Sequence, residues 1–394
     1  MFEISTASSE VHGASESPAR RPARDRRSSR ARLTELLAHA DIEIGGDRPW
    51  DPQVHDDRFF DLAFAGSLAI GEAYMDGLWD VVALDELVCR FRRARLDEQF
   101  RIGADGWRVL KARLRNRQSA SRSYHMGRRV YDGAIDLFEA TLDPRMVYSC
   151  AYWKSATTLA EAQEAKLDLA CRKLGLAAGM RVLDIGCGWG AFARFAAERY
   201  GAEVVGVSVS REQIEYGRER CRGLPVELRF ADYREVTGTF DRVHSAGMFE
   251  HVGPRNHRRF FETVDRVLAE DGLVLLHTVG GNRSLPSVDA WIDRYIFPDA
   301  VMPSAAQISR AVEGLFVIED WHNFGPDYDR TLVAWCANFE RNWPGLAARY
   351  DPRFYRMWKF YLLACAGTFR ARVNHLWHFV LSRRGVVGGY EAVR

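Results

Sequence analysis

The chain has 394 residues, 47% hydrophobic and 27% charged, so it can bury a sizeable core and its bulk is not intrinsically disordered. That length favours two or three domains, and a formal net charge of +2 is too small to mark a nucleic-acid-binding protein. No run approaches the ~18 apolar residues that cross a bilayer, and the seven scattered cysteines, never spaced Cys-x-x-Cys, fit a reducing cytoplasm rather than a disulfide framework or zinc ribbon.

Residues 1–32 lack apolar periodicity. Arg20, Arg21, Arg24, Arg26, Arg27, Arg30 and Arg32 crowd a Ser/Ala/Pro background, which predicts a disordered basic arm, either a solvated tail or a weak binder of anionic lipid or nucleic acid. Residues 33–118 read as a helical N-terminal domain built from RLTELLAHA, FFDLAFAGSLAIGEAYMDGLW and LDELVCRFRRARL. A second basic stretch runs from Arg90 to Arg129, with Trp107, Leu110 and Leu114 near helical spacing. It predicts an amphipathic basic helix suited to an anionic membrane surface or to phosphates, or else a solvated helix face.

Residues 119–394 change texture. The β-branched runs RVLDI, AEVVGVSV, VELRFA, FDRVHSAG and GLVLLHTVG alternate with one-sided helical patterns. Five strands with their helices predict an α/β doubly wound, largely parallel sheet. After Gly280 the alternation stops for an aromatic insertion, NRSLPSVDAWIDRYIFPDAVMPS, placed where a substrate cover would sit. A helix, SAAQISRAVE, and two strand-like runs around LFVIEDWH and TLVAWCANF follow, and the final FYRMWKFYLLACAGTFRARVNHLWHFVLSRR reads as one aromatic helix.

The central signal is VLDIGCGWGAF: a strand ending in Asp184, then Gly186, Gly188 and Gly190 turning tightly into a helix. Glycine is required where the backbone must turn sharply and approach a ligand. A nicotinamide site would have Gly-x-Gly-x-x-Gly and an acid at the end of the second strand, but that strand ends Val207-Ser208-Val209-Ser210. Asp184 before the loop and Asp232 after the third strand instead suit S-adenosylmethionine, at its methionine end and its adenine amino group respectively. No Gly-x-x-x-x-Gly-Lys-Ser/Thr loop is present, which argues against an NTPase.

GMFEHVG, LLHTVG and NFGPDYDRTL place Glu250, His277 and Tyr328 at strand ends that open onto one crevice. The histidines have neither His-Glu-x-x-His nor Cys/His ligand spacing, so no metal is expected, and His251, His257 and His322 read as surface or core groups.

VYSCAYWK, VLDIGCGWGAFARF, VVGVSVSREQ, MFEHVGPRN, LLHTVG, DAWIDRYIFP, EDWHNFGPDYDRTL and ACAGTFRAR occur in order from about Ala40 onward. Together they resemble the cyclopropane-fatty-acyl-phospholipid synthases and, without the N-terminal domain, the mycolic-acid cyclopropane synthases. The resemblance implies a Rossmann-like class I methyltransferase fold. It implies S-adenosylmethionine as methylene donor and the cis double bond of an unsaturated phospholipid acyl chain as acceptor. By motif it assigns the cofactor to Tyr148, Ser149, Leu183, Asp184, Ile185, Gly186, Cys187, Gly188, Trp189, Gly190 and Ala191, then Ser208, Val209, Ser210, Arg211, Glu212 and Gln213, and finally Asp232 and Tyr233. Bicarbonate is expected beside Cys150, Glu250, His277, Tyr328 and the Val279 backbone N–H, and Cys365 is carried as a catalytic-motif cysteine although its aromatic helical run favours packing or acyl-tunnel lining. The resemblance further suggests a homodimer, with residues 33–118 binding lipid or dimerising, on the cytoplasmic face of a phospholipid bilayer and without nucleic acid. Val130-Tyr131-Asp132 departs from the family's His-Tyr-Asp near the site entrance.

The chemistry stands independently. A sulfonium methyl is electrophilic and an alkene supplies the electrons, so no side-chain nucleophile is needed. The resulting carbocation must be shielded, which favours aromatic faces, and ring closure needs a base to take a proton from the new methyl group. Tyr148, Tyr152, Trp153, Phe249 and Tyr295 are the aromatic candidates. A methyl-branched or hydroxymethylated product, or a non-catalytic membrane- or nucleic-acid-binding module, are the alternatives.

Overall fold

The computed structural model describes residues 23–99 and 133–394. The N-terminal part comprises α1 (Ala23–Ala38), β1 (Gln53–Val54), α2 (Arg58–Leu62), α3 (Ser67–Met75), β2 (Trp79–Asp80), α4 (Leu84–Arg93) and α5 (Leu96–Gln99). The boundary expected at residue 32 falls inside α1: its Leu33 and Leu37, four residues apart, are buried, while Arg30 and Arg32 lie over the rings of Phe60 and Phe64. Residues 1–22, the helix expected around Trp107 and the Val130–Asp132 departure lie outside the described residues.

After α6 (Ile135–Thr141) and α7 (Leu159–Lys173) come β3 (Arg181–Ile185), α8 (Ala191–Tyr200), β4 (Glu203–Ser208), α9 (Arg211–Arg220) and β5 (Val226–Phe230). Then follow β6 (Phe240–Ala246), α10 (His257–Val267), β7 (Leu268–Gly281), α11 (Ala290–Tyr295), α12 (Ala305–Val312) and β8 (Val317–Asn323). The chain finishes with α13 (Pro326–Leu346), α14 (Pro352–Arg370) and β9 (Asn374–Ser382). The seven-stranded sheet has the order β5-β4-β3-β6-β7-β9-β8. Its first five strands are parallel as expected, and β9 enters antiparallel between β7 and β8. The order reverses beside β3, which opens a crevice at the carboxyl ends of β3, β4 and β6.

Two expectations are corrected. TLVAWCANF is not a strand but the middle of α13, because its buried residues Thr331, Leu332, Trp335, Cys336 and Phe339 recur at helical spacing. The final aromatic run is not one helix: α14 ends at Arg370 and Arg372 takes φ 62° before β9 begins.

The N-terminal helices share one hydrophobic core with α13 and α14, in which Leu33, Phe60, Trp79 and Leu84 cluster with Trp335, Trp358 and Leu362. The ACAGTFR motif explains this junction. Gly367 lets α14 approach α4 closely, since a Cβ there would collide with the Asp85 carbonyl oxygen and stand 2.8 Å from Val88 Cβ. One turn on, Arg370 pairs with Asp329 at 2.9 Å, Asp85 at 2.5 Å and Glu86 at 3.3 Å. Gly367→Ala is expected to destabilise the protein by about 1–3 kcal/mol, the usual range for overpacking against an unyielding neighbour. An unchanged melting temperature would contradict that contact.

Candidate active site

Gly186, Gly188 and Gly190 carry φ of 79°, 53° and 80°, the left-handed region, and turn the end of β3 into α8. The turn floors a cavity whose walls come from four places. Tyr148, Ser149 and Lys166 form one side; Asp184 to Gly188 with Trp189 form the floor; Ser208, Val209, Ser210 and Gln213 line the β4 end; and Asp232, Tyr233 and Arg234 close the β5 end. Ser210 caps α9 by accepting the Gln213 N–H, while Ser208 Oγ reaches Gln213 Oε1 at 3.0 Å, so the β4 end is held by its own hydroxyls.

Two buried acids mark the ends of this cavity. Asp184 Oδ1 is held 2.8 Å from His244 Nδ1, leaving Oδ2 buried without a partner. Asp232 is gripped by Arg234 through Nε at 2.7 Å and Nη2 at 2.5 Å. An acid with an open oxygen beside a glycine turn, and a second acid past β5, match the ammonium and adenine ends of S-adenosylmethionine. The residues present therefore fit that cofactor.

A second group lies under the ends of β6 and β7. Glu250 sits in a short 3-10 helix, Phe249–His251, with Oε1 accepting the Val279 N–H at 2.6 Å and Oε2 buried without a partner. Burial pushes its carboxyl up to about 7, against the opposing pull of the Glu250 and Val279 backbone N–H groups and of the Thr278 hydroxyl. His277 is buried on β7, its Nδ1 2.8 Å from His378 Nε2 on β9 and its Nε2 unpartnered. Burial holds His277 well below its usual range, so it is neutral. Cys150 packs in one apolar cluster with Val279 and Tyr328. Burial, then the neighbouring Cys150, Tyr148, Glu250 and Cys365, raise the Tyr328 phenol well above 10, and burial with Asp327 nearby keeps Cys150 as a thiol.

Of the predicted cofactor residues, Leu183 is core, Gly190 caps α8, Arg211 lies over Phe230, and Glu212 accepts the Gly133 N–H; none of the four lines the cavity. The Val279 N–H, expected as a donor to bicarbonate, is instead engaged by Glu250, because the 3-10 helix brings that carboxylate across the strand end. Burial lifts the Cys365 thiol to about 12, so it is no thiolate base at neutral pH.

The aromatic candidates divide. Phe249 is core, stacked on His257 at 4.3 Å; Tyr295 donates to Glu72; Trp153 donates to Thr331 beneath Arg330; Tyr152 packs on His322 and Phe324. Tyr148 remains, and it gathers Trp335, Phe297 and Tyr361 around it. His257 and His322 are structural as read, but His251 lines the cavity. Sequence reasoning also missed Lys166, Arg234 and His244 there. Only Lys166 left a trace, a lysine on the same buried helix face as Gln163. Among the described residues no group of three or more His, Cys, Asp or Glu side chains is placed to hold a metal ion.

The strand order, the antiparallel β9 and the glycine turn under a cavity between two acids define an S-adenosylmethionine-dependent methyltransferase of the class I fold. The sequence model described as mycolic acid cyclopropane synthetase matches residues 118–379. The Escherichia coli (strain K12) cyclopropane-fatty-acyl-phospholipid synthase is 49% identical over 362 residues, covering 91% of this chain and 94% of that one. The cyclopropane synthase MmaA2 from Mycobacterium tuberculosis superposes with a TM-score of 0.63 at 32% identity, covering 66% of this chain and 98% of its own. The mycolic acid cyclopropane synthase CmaA1 complexed with SAH and CTAB gives 0.61 at 32% identity, with the same 66% and 98% coverage. The chain belongs to the mycolic acid cyclopropane synthetase family.

Proposed function

We propose that this enzyme converts the cis double bond of an unsaturated phospholipid acyl chain to a cyclopropane, using S-adenosylmethionine and bound bicarbonate. The observation that carries the reading is the pair of buried, unpartnered polar atoms, Glu250 Oε2 and His277 Nε2, the first following β6 and the second on β7, with Tyr328 in the first turn of α13 and Cys150 in the segment before α7 packed together beside Val279. An unpaired buried polar atom calls for an explanation in strain, chemistry, a water or an ion, and two of them beside a phenol and a thiol at one place suit a small bound oxyanion.

S-adenosylmethionine, when bound, supplies the electrophilic methyl. Tyr148, which lines the cavity and is backed by Trp335, Phe297 and Tyr361, offers an aromatic group that shields positive charge on the acyl chain without being alkylated as a carboxylate would be. Bicarbonate, when bound, supplies the base that takes the methyl proton. Tyr328 O–H is a donor toward it, and Glu250 Oε2 is the acceptor for its O–H. His277 donates from Nε2 only in the tautomer whose Nδ1 accepts from His378 Nε2–H, a hydrogen bond that the 2.8 Å separation supplies.

The phospholipid acceptor follows from the close relative's named substrate class. Among the described residues no helix is long and apolar enough to cross a membrane, and a peripheral cytoplasmic association and a homodimer belong to the same proposal. Purified protein assayed on unsaturated phospholipid vesicles in carbon-dioxide-free buffer should gain activity when bicarbonate is added. Full activity without it would overturn the bicarbonate role.

Both cysteines are expected to be dispensable in part. Cys150→Ser should keep partial activity, because the thiol is a wall rather than a nucleophile, and Cys365→Ser should stay within a few-fold of the parent. Complete loss in either, with cofactor affinity retained by calorimetry, would restore a chemical role to that sulfur.

A further inference from the structure

Lys166, on α7, is 2% exposed and lines the cofactor cavity, yet the reaction as described makes no use of it. Its ammonium donates to Ser149 Oγ at 3.0 Å, and no carboxylate oxygen of the described residues stands within 4 Å of it. The nearest acids are otherwise engaged: Asp143 accepts the N–H groups of Arg145 and Val147, and Asp184 Oδ1 holds His244. A buried cation with three donors and one neutral partner is unfavourable unless an anion joins it.

We propose that Lys166 binds the carboxylate of the cofactor's methionine moiety, an inference that rests on the S-adenosylmethionine reading of the cavity. The placement favours the methionine end. Lys166 and Ser149 face the same space as Asp184 and the Gly186–Gly188 turn, whereas Asp232 and Tyr233 close the far end. The ligand's amino-acid end is a zwitterion, and the cavity offers it one cation and one acid with an open Oδ2. Lys166 thus meets the carboxylate and Asp184 the ammonium, and each protein charge gains the partner it lacks. Burial lowers the Lys166 ammonium to about 8, against the attraction of Asp143, Cys150, Asp184 and Cys171, as expected for a cation short of a counter-charge. His277 also lies within its field.

Calorimetry of the full chain with S-adenosylmethionine and with its decarboxylated analogue tests this, for the parent and for Lys166→Met. The parent should prefer the carboxylated ligand by about tenfold or more, the worth of a charged hydrogen bond. Lys166→Met should lose that preference while binding the analogue as the parent does. Equal losses on both ligands would overturn the proposal, because Lys166 would then only brace Ser149 and the cavity wall. A parent that binds neither ligand would instead overturn the cofactor reading beneath it. Should Lys166→Met fail to fold, the parent alone decides: equal affinity for the two ligands at pH 7, where Lys166 and both ligand amines are protonated, would contradict the assignment.

Discussion

Glu250→Gln is expected to lower turnover about 10²- to 10⁴-fold, the usual worth of a positioned acid–base group, while leaving affinity for S-adenosylmethionine near that of the parent. The separation follows from geometry. Glu250 does not line the cofactor cavity, and its Oε1 is anchored on the Val279 N–H while Oε2 stands open. A glutamine fills the same volume and keeps one carbonyl for Val279, but it presents an NH₂ where an acceptor is needed. The pH profile gives an independent check. Burial raises the carboxyl to about 7, and with Oε1 held by the Val279 N–H a protonated carboxyl would carry its hydrogen on Oε2 and donate where an acceptor is needed, so activity at a fixed bicarbonate-ion concentration should climb as pH rises through about 7. His277 stays neutral across that range and adds no limb of its own. The Gln variant should show its residual activity without this limb. Parental activity in Glu250→Gln would remove the residue from the base pocket.

Gly186→Ala is expected to abolish measurable cofactor binding. At φ 79° an L-residue is strained by roughly 1–2 kcal/mol, and its Cβ would stand 2.7 Å from Met248 Cβ and 2.8 Å from Cγ. Both effects push the turn upward into the cavity it floors. Met248 immediately precedes the 3-10 helix that carries Glu250, so relief by moving Met248 would disturb the base pocket too. Calorimetry with S-adenosylhomocysteine and a thermal melt separate the two consequences. Parental affinity in this variant would show that the turn is not in contact with the cofactor.

The parallel strands were legible because the short β-branched runs are set off by Gly, Pro, Ser or Asp, and the switch from strand to helix at VLDIGCGWGAF is a local event. β9 was not, because eight of its nine residues are buried on both faces, and a run without alternation is as good a helix as a strand. TLVAWCANF was misjudged on composition although its buried positions keep helical spacing. The site divides in the same way. Glu250, His277 and Tyr328 stood in recognisable motifs on or just after the later strands. The His277–His378 contact and the engagement of the Val279 N–H depend on how distant segments meet, for which sequence offers no signal. Lys166 was overlooked because a lysine in a helix normally reaches water.

The central claim is that methyl transfer ends in ring closure. Incubating the protein with unsaturated phospholipid vesicles and S-adenosylmethionine labelled with deuterium in all three methyl positions tests it, read by mass spectrometry of the acyl chains before and after ozone. Ring closure predicts a chain that has gained CD₂ and no longer reacts with ozone. A product retaining CD₃, or one that gains CD₂ but is still cleaved by ozone, would contradict the account.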